Sequence, residues 1–98
     1  MSSADSLASP PDLQTAVAHH QAGRIAEAEA IYRQVLGANP DNSDALHLLG
    51  VVELQRGRPQ DAVDLISQSL AGQPQNFHAL NHLGEAFRAL GFLDARSL

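Results

Sequence analysis

The chain has 98 residues and a net charge of −5, and 44% of its residues are hydrophobic but only 4% are aromatic. This length and composition fit one domain with a core of aliphatic side chains. The negative charge argues against nucleic-acid binding, which needs clustered cations, and no segment is long and apolar enough to predict a membrane span.

The chain contains no cysteine, and all six of its cationic residues are arginines. The sequence therefore predicts no disulfide, no thiolate metal ligand and no Schiff-base lysine. Its N-terminal residues lack the charged and apolar regions of a secretory signal. We expect a cytoplasmic protein.

Three kinds of residue mark the ends of the predicted helices. Glycine permits a left-handed stop, proline after a helix prevents its continuation, and asparagine before a helix caps its first turn. These residues are Gly23, Gly57 and Gly91, then Pro40 and Pro74, then Asn42 and Asn76. They predict helices over about 10–22, 26 to 36 or 38, 43–56, 59–71 and 77–90, with the first turn of a sixth at 93–98. Residues 1–8 are predicted to form a flexible polar tail.

An internal repeat connects these helices. The glycines stand 34 residues apart, and further identical pairs share this offset: Pro40 and Pro74, Gly50 and Gly84, Ala28 and Ala62, Leu49 and Leu83, Leu36 and Leu70, Asn42 and Asn76. A helix–turn–helix unit of this length cannot bury its apolar faces alone and stacks on copies of itself. The short loops predict antiparallel neighbouring helices. The predicted fold class is therefore all-α, as a short solenoid.

The repeat motifs carry a family resemblance. They are Leu46-x-x-Leu49-Gly50, Leu80-x-x-Leu83-Gly84-x-x-Phe87 and Ala28-x-x-x-Tyr32. The first two resemble the first-helix signature of the tetratricopeptide repeat, and the third resembles its second-helix half. The resemblance implies a right-handed superhelical solenoid of antiparallel helix pairs within residues 9–98. It has about two and a half repeats, at 9–42, 43–76 and 77–98, of which the last is truncated.

The residue types in these motifs predict how the helices pack. Gly50 and Gly84 are small where a partner helix crosses, and the large residues fill the space between repeats: Tyr32, Leu46, Leu49 and Ile66. Glu53 stands where Phe87 stands in the next repeat, so one aromatic contact is lost. Arg96 occupies the position equivalent to Ala62, which should prevent a sixth helix from covering the third repeat. We expect self-association through that end.

The sequence offers no catalytic arrangement, and we predict no enzyme activity and no cofactor. It lacks a cysteine nucleophile, a phosphate-binding glycine loop and an H-E-x-x-H motif. His78 and His82 are one helical turn apart, and His47 on the equivalent helix can approach them. No cysteine or carboxylate completes a metal-ligand set at helical spacing, so no metal site is predicted.

Recognition of another protein or peptide is therefore the predicted function. The resemblance implies that the first helix of each repeat lines a concave groove, which holds an extended peptide or a partner helix. Carried over by position, the groove residues are Leu13, Val17, His20, Gln21, Asp44, His47, Val51, Leu54, Gln55, His78, Asn81, Glu85, Arg88 and Ala89. Val51 and Leu54 are apolar residues that a partner would cover. With no lysine and one groove cation, Arg88, recognition of a C-terminal carboxylate is disfavoured.

Two alternatives remain open at the level of sequence. The segments 23–28 and 45–50 resemble repeats that precede bacterial domains related to O-linked N-acetylglucosamine transferases, so the chain could be the N-terminal segment of such an enzyme. Those repeats carry a ladder of asparagines along the groove, and here Leu48 and His82 occupy ladder positions. The second alternative is a metal-binding module built from histidines.

Overall fold

A computed structural model describes residues 13–91, and this part of the chain is all-α, with five helices and no strand. The helices are α1 (Leu13–Gln21), α2 (Ile25–Ala38), α3 (Ser43–Gln55), α4 (Pro59–Gly72) and α5 (Phe77–Ala89). Their ends within the described range agree with the sequence prediction to about one residue. The predicted tail, the predicted start of the first helix and the predicted turn at 93–98 lie outside the described residues.

The residues predicted to end and cap the helices act as expected. Gly23, Gly57 and Gly91 have φ angles of 85°, 78° and 84°, in the left-handed region that favours glycine. The side chain of Asn42 accepts a hydrogen bond of 2.9 Å from the backbone N–H of Ala45, three residues later. Asn76 caps α5 in the same way, at 3.1 Å. Local residue choice therefore sets where each helix begins and ends.

Each helix packs against the next one along the chain, and α3 also reaches α5. The buried residues form two clusters, one around α2 and α3 and the other between α4 and α5. The first contains Ala16, Ala28, Tyr32, Leu49 and Val52, and the second contains Ala62, Ile66, Ala79 and Ala86. This continuous stacking of helices is the predicted solenoid.

The predicted helix crossing at Gly50 is confirmed. A Cβ atom built on Gly50 would lie 2.5 Å from Cγ1 of Ile66 and 3.4 Å from the carbonyl oxygen of Ala62, both on α4. At the repeat-equivalent Gly84, the only contact that a Cβ atom would make within residues 13–91 is with Nη1 of Arg88, on its own helix, at 3.7 Å. The crossing at Gly50 thus requires glycine for space, whereas the segment predicted to cross at Gly84 lies outside the described residues.

Glu53 is buried within an ion-pair network, which the sequence did not predict. It is 2% exposed, and its two carboxylate oxygens lie 3.2 Å from Nη2 of Arg33 and Nη1 of Arg58. Arg33 and Arg56 each approach the carboxylate of Glu29 to 2.8 Å. Polar contacts around Glu53 therefore hold α2, α3 and the start of α4 together. The equivalent position in the next repeat is occupied by the aromatic residue Phe87.

Candidate protein-binding groove

The first helices of the three repeats, α1, α3 and α5, surround one large open cavity, which we call the groove. Its volume is about 840 Å³. Its lining residues are Leu13, Gln14, Val17, Ala18, Gln21, Asp44, His47, Leu48, Asn76, His78 and His82. The groove therefore spans α1, α3 and α5, the predicted first helices of the repeats.

The lining combines an apolar part with a polar part. Leu13, Val17, Ala18 and Leu48 supply the apolar surface, whereas the polar surface consists of amides, imidazoles and one carboxylate, that of Asp44. No arginine lines this groove within residues 13–91. The groove can therefore cover apolar side chains and attract a cation, and it has little to offer an anion.

A smaller cavity of about 330 Å³ continues the groove towards the C-terminal ends of α1 and α3. Val17, Gln21 and Leu48 line both cavities. In the smaller one, Nε2 of His20 donates a 2.7 Å hydrogen bond to Oε1 of Gln55. Nδ1 of His20 lies 3.1 Å from the hydroxyl of Tyr32 and accepts from it when the ring is neutral. This chain of contacts connects α1, α2 and α3 beside the groove.

Two histidines form a second side-chain bridge, between α3 and α5. Nε2 of His47 lies 2.8 Å from Nδ1 of His82, and the ring centroids are 5.0 Å apart. His47 is only 7% exposed. Burial lowers its pKa, and the neighbouring His82 and His78 lower it further, while Asp44 opposes them. The sequence prediction that His47 can approach this pair is therefore confirmed for His82.

The structure gives the predicted groove residues different surroundings. Eight of them line the two cavities: Leu13, Val17, His20, Gln21, Asp44, His47, Gln55 and His78. Leu54 is half-buried, packs against the core cluster of α4 and α5, and lines neither cavity. The remaining residues line neither cavity: Val51, Asn81, Glu85, Arg88 and Ala89.

Sequence reasoning missed five residues of the groove lining, which are Gln14, Ala18, Leu48, Asn76 and His82. A signal for two of them was present, because Leu48 and His82 lie one repeat length of 34 residues apart, on α3 and α5. A second signal is the spacing of the bridges. His20 and Gln55 are 35 residues apart, as are His47 and His82. Neighbouring first helices thus meet at an offset one residue longer than the repeat.

The described residues contain no group of three or more histidine, cysteine, aspartate or glutamate side chains arranged to hold a metal ion. Although three histidines line the groove, His47 and His82 are hydrogen-bonded to each other. None of the five described helices is both long and apolar enough to cross a membrane.

Comparison with known proteins agrees with the helical repeat. A family model described as tetratricopeptide repeat matches residues 13–77 and 54–95. No curated protein matches the chain. Repeats of this family generally mediate protein–protein interactions and are typically non-catalytic scaffolds. The matched residues cover most of the chain, which therefore belongs to the tetratricopeptide repeat family.

Proposed function

We propose that the chain is a protein–protein interaction scaffold and that its groove binds an extended peptide or a helix from a partner protein. The observation that carries this proposal is the continuous groove formed by α1, α3 and α5, with Leu13, Val17 and Leu48 on its surface. Apolar side chains gathered in a concave surface gain free energy when a partner covers them. The general role of the family supports the same function.

The charges around the groove favour a particular kind of segment. Asp44 is exposed and lines the groove, no arginine does so within the described residues, and the chain has a net charge of −5. A cationic side chain near Asp44 would match this potential, whereas a partner carboxylate would find no counter-ion. The preferred segment thus carries apolar residues that contact Leu48 and Val17 and a lysine or arginine that reaches Asp44.

The groove chemistry supports binding better than catalysis. Both ring nitrogens of His20 are hydrogen-bonded, to Tyr32 and Gln55, and one nitrogen of His47 is bonded to His82, so these imidazoles join helices. A repeat segment of a larger glycosyltransferase-like enzyme remains an alternative that rests on two short sequence segments. Leu48 and His82 stand where those repeats carry asparagines, which makes this alternative the weaker one.

A matched pair of variants tests the binding proposal. Ala18 and Ala30 are both exposed helical alanines, but Ala18 lines the groove and Ala30, on α2, lines none of the cavities described above. A displayed library of random 12-residue peptides is first selected on the unsubstituted chain. The affinity of the enriched peptides is then measured by calorimetry for Ala18→Arg and Ala30→Arg.

We expect enriched peptides that contain apolar residues and at least one cation. Ala18→Arg should weaken their binding at least about tenfold, because it places a bulky charge against the apolar surface, and Ala30→Arg should leave it unchanged. Equal effects of the two substitutions, or enrichment of acidic peptides, would contradict the proposal. Circular dichroism of both variants confirms that they are equally folded.

A further inference from the structure

The two histidines between α3 and α5 form a bridge with a specific proton requirement. His47 lies near the N-terminal end of α3, and His82 lies in the middle of α5. Their nitrogens, Nε2 and Nδ1, are 2.8 Å apart, which is a hydrogen-bond distance. We call this contact the imidazole bridge. It joins the first helices of the second and third repeats, and both of its members line the groove.

The number of protons on the two rings determines whether the bridge can form. A neutral imidazole has one N–H donor and one bare nitrogen acceptor, so two neutral rings can form one N–H···N bond. With one added proton the pair still has one acceptor facing one donor. With two added protons both facing nitrogens carry hydrogen, and the bond is replaced by repulsion between two cations. The imidazole bridge is therefore stable with at most one added proton.

The surroundings of the bridge make the second proton costly. The groups whose charge acts on His47 are His82 and His78 on α5 and Asp44 on its own helix α3. The α1 side chains that face the groove are uncharged: Leu13, Gln14, Val17, Ala18 and Gln21. A buried cation at His47 would thus have one nearby carboxylate and up to two nearby imidazolium rings.

We propose that the imidazole bridge is a proton-controlled contact that fixes the width of the groove: it holds α5 against α3 near neutral pH and opens in acid. The consequence for binding rests on the proposed function of the groove, because a partner selected for the closed shape would bind more weakly after opening. The opening itself is a property of the free chain. It can therefore be measured without any partner.

The direct test is a distance across the groove. Because the chain contains no cysteine, Gln14→Cys and Asn81→Cys introduce two specific attachment sites for spin labels, on exposed positions of α1 and α5. The distance between the labels is measured by pulsed electron resonance from about pH 7.5 to 4.5, with circular dichroism to verify that the helices persist. We expect the label distance to increase in acid, because the proposed opening widens the groove.

His82→Asn is the control, because the amide oxygen can occupy nearly the place of Nδ1 and accepts from His47 whether or not His47 is charged. In this background the label distance should stay constant over the same pH range. A constant distance in the original chain would overturn the proposal. So would an equal change in both backgrounds, because other groups would then cause the opening.

Nitrogen NMR of the unsubstituted chain provides a second measurement that needs no variant at residue 82. The His47 ring should gain its proton only below the ordinary pH range of a histidine, because the pKa of this buried group is lowered. An ordinary histidine titration curve for His47 would overturn the proposal. Peptide binding at neutral pH is a separate observation, so failure of the proposed function and failure of the proton control are distinguishable.

Discussion

The two glycines at equivalent places in successive repeats provide a matched test of the packing. Both lie inside helices, Gly50 in α3 and Gly84 in α5. Replacing either with alanine gains about 1 kcal/mol of helix propensity. At Gly50 the new methyl group would lie 2.5 Å from Cγ1 of Ile66, which is fully buried and cannot move into solvent. At Gly84 the nearest atom within residues 13–91 is 3.7 Å away, at the end of the flexible Arg88.

Overpacking of a closed contact costs about 1–3 kcal/mol. We therefore expect Gly84→Ala to be neutral or up to about 1 kcal/mol more stable than the original chain. Gly50→Ala should be about 1–3 kcal/mol less stable than Gly84→Ala. For a domain of this size that difference corresponds to at least about 4 °C in the melting temperature. Urea unfolding at fixed protein concentration measures it. Equal stability of the two variants, or a more stable Gly50→Ala, would refute the assigned helix crossing.

Three further predictions concern charge, pH and association. The double variant Arg33→Gln/Arg58→Gln removes the cations that hold the buried carboxylate of Glu53. We expect urea unfolding to show a loss of about 2–3 kcal/mol in the free energy of unfolding, at the low end for a buried pair because both arginines are half-exposed. A loss no larger than that of Arg24→Gln would contradict the ion-pair network. Folding lowers the pKa of His47 from 6.5, so the unfolded chain binds more protons in acid than the folded chain does. The contribution of His47 to stability should therefore be complete above pH 6.5 and decline as the pH falls. Urea midpoints at successive pH values would show this decline, and a flat profile would contradict it. Phe77 is 74% and Leu80 43% exposed, and we expect self-association to bury these apolar side chains. Thermal melts and sedimentation should then show stability rising with protein concentration, and Leu80→Asp should reduce that rise. A monomer whose stability does not depend on concentration would contradict self-association.

The ends of the helices could be predicted from the sequence because single residues determine them. Gly57 adopts the left-handed conformation that its position suggested, and Asn42 accepts the capping hydrogen bond from Ala45. Both effects act within three or four residues of the chain. The repeat offset then carried the prediction from one helix pair to the next, which is why the fold class followed from residue spacing.

The polar contacts between repeats could not be predicted in the same way. Glu53 looked like a lost aromatic contact, but it is buried because arginines on α2 and before α4 converge on it. The sequence predicted that Leu54 is an apolar groove residue for a partner to cover, but Leu54 packs against the core cluster of α4 and α5. Both outcomes depend on how neighbouring helices face each other, and local residue patterns carry little information about that.

We propose that a partner segment lies in the groove between α1, α3 and α5. The most direct measurement is a map of backbone amide NMR shifts while an enriched apolar, cationic peptide is added to the isotope-labelled chain. We predict the largest shift changes at residues lining the groove on all three helices, including Ala18, Leu48 and His78. Shift changes confined to exposed residues of α2 and α4, such as Ala30 and Gln68, would contradict the claim.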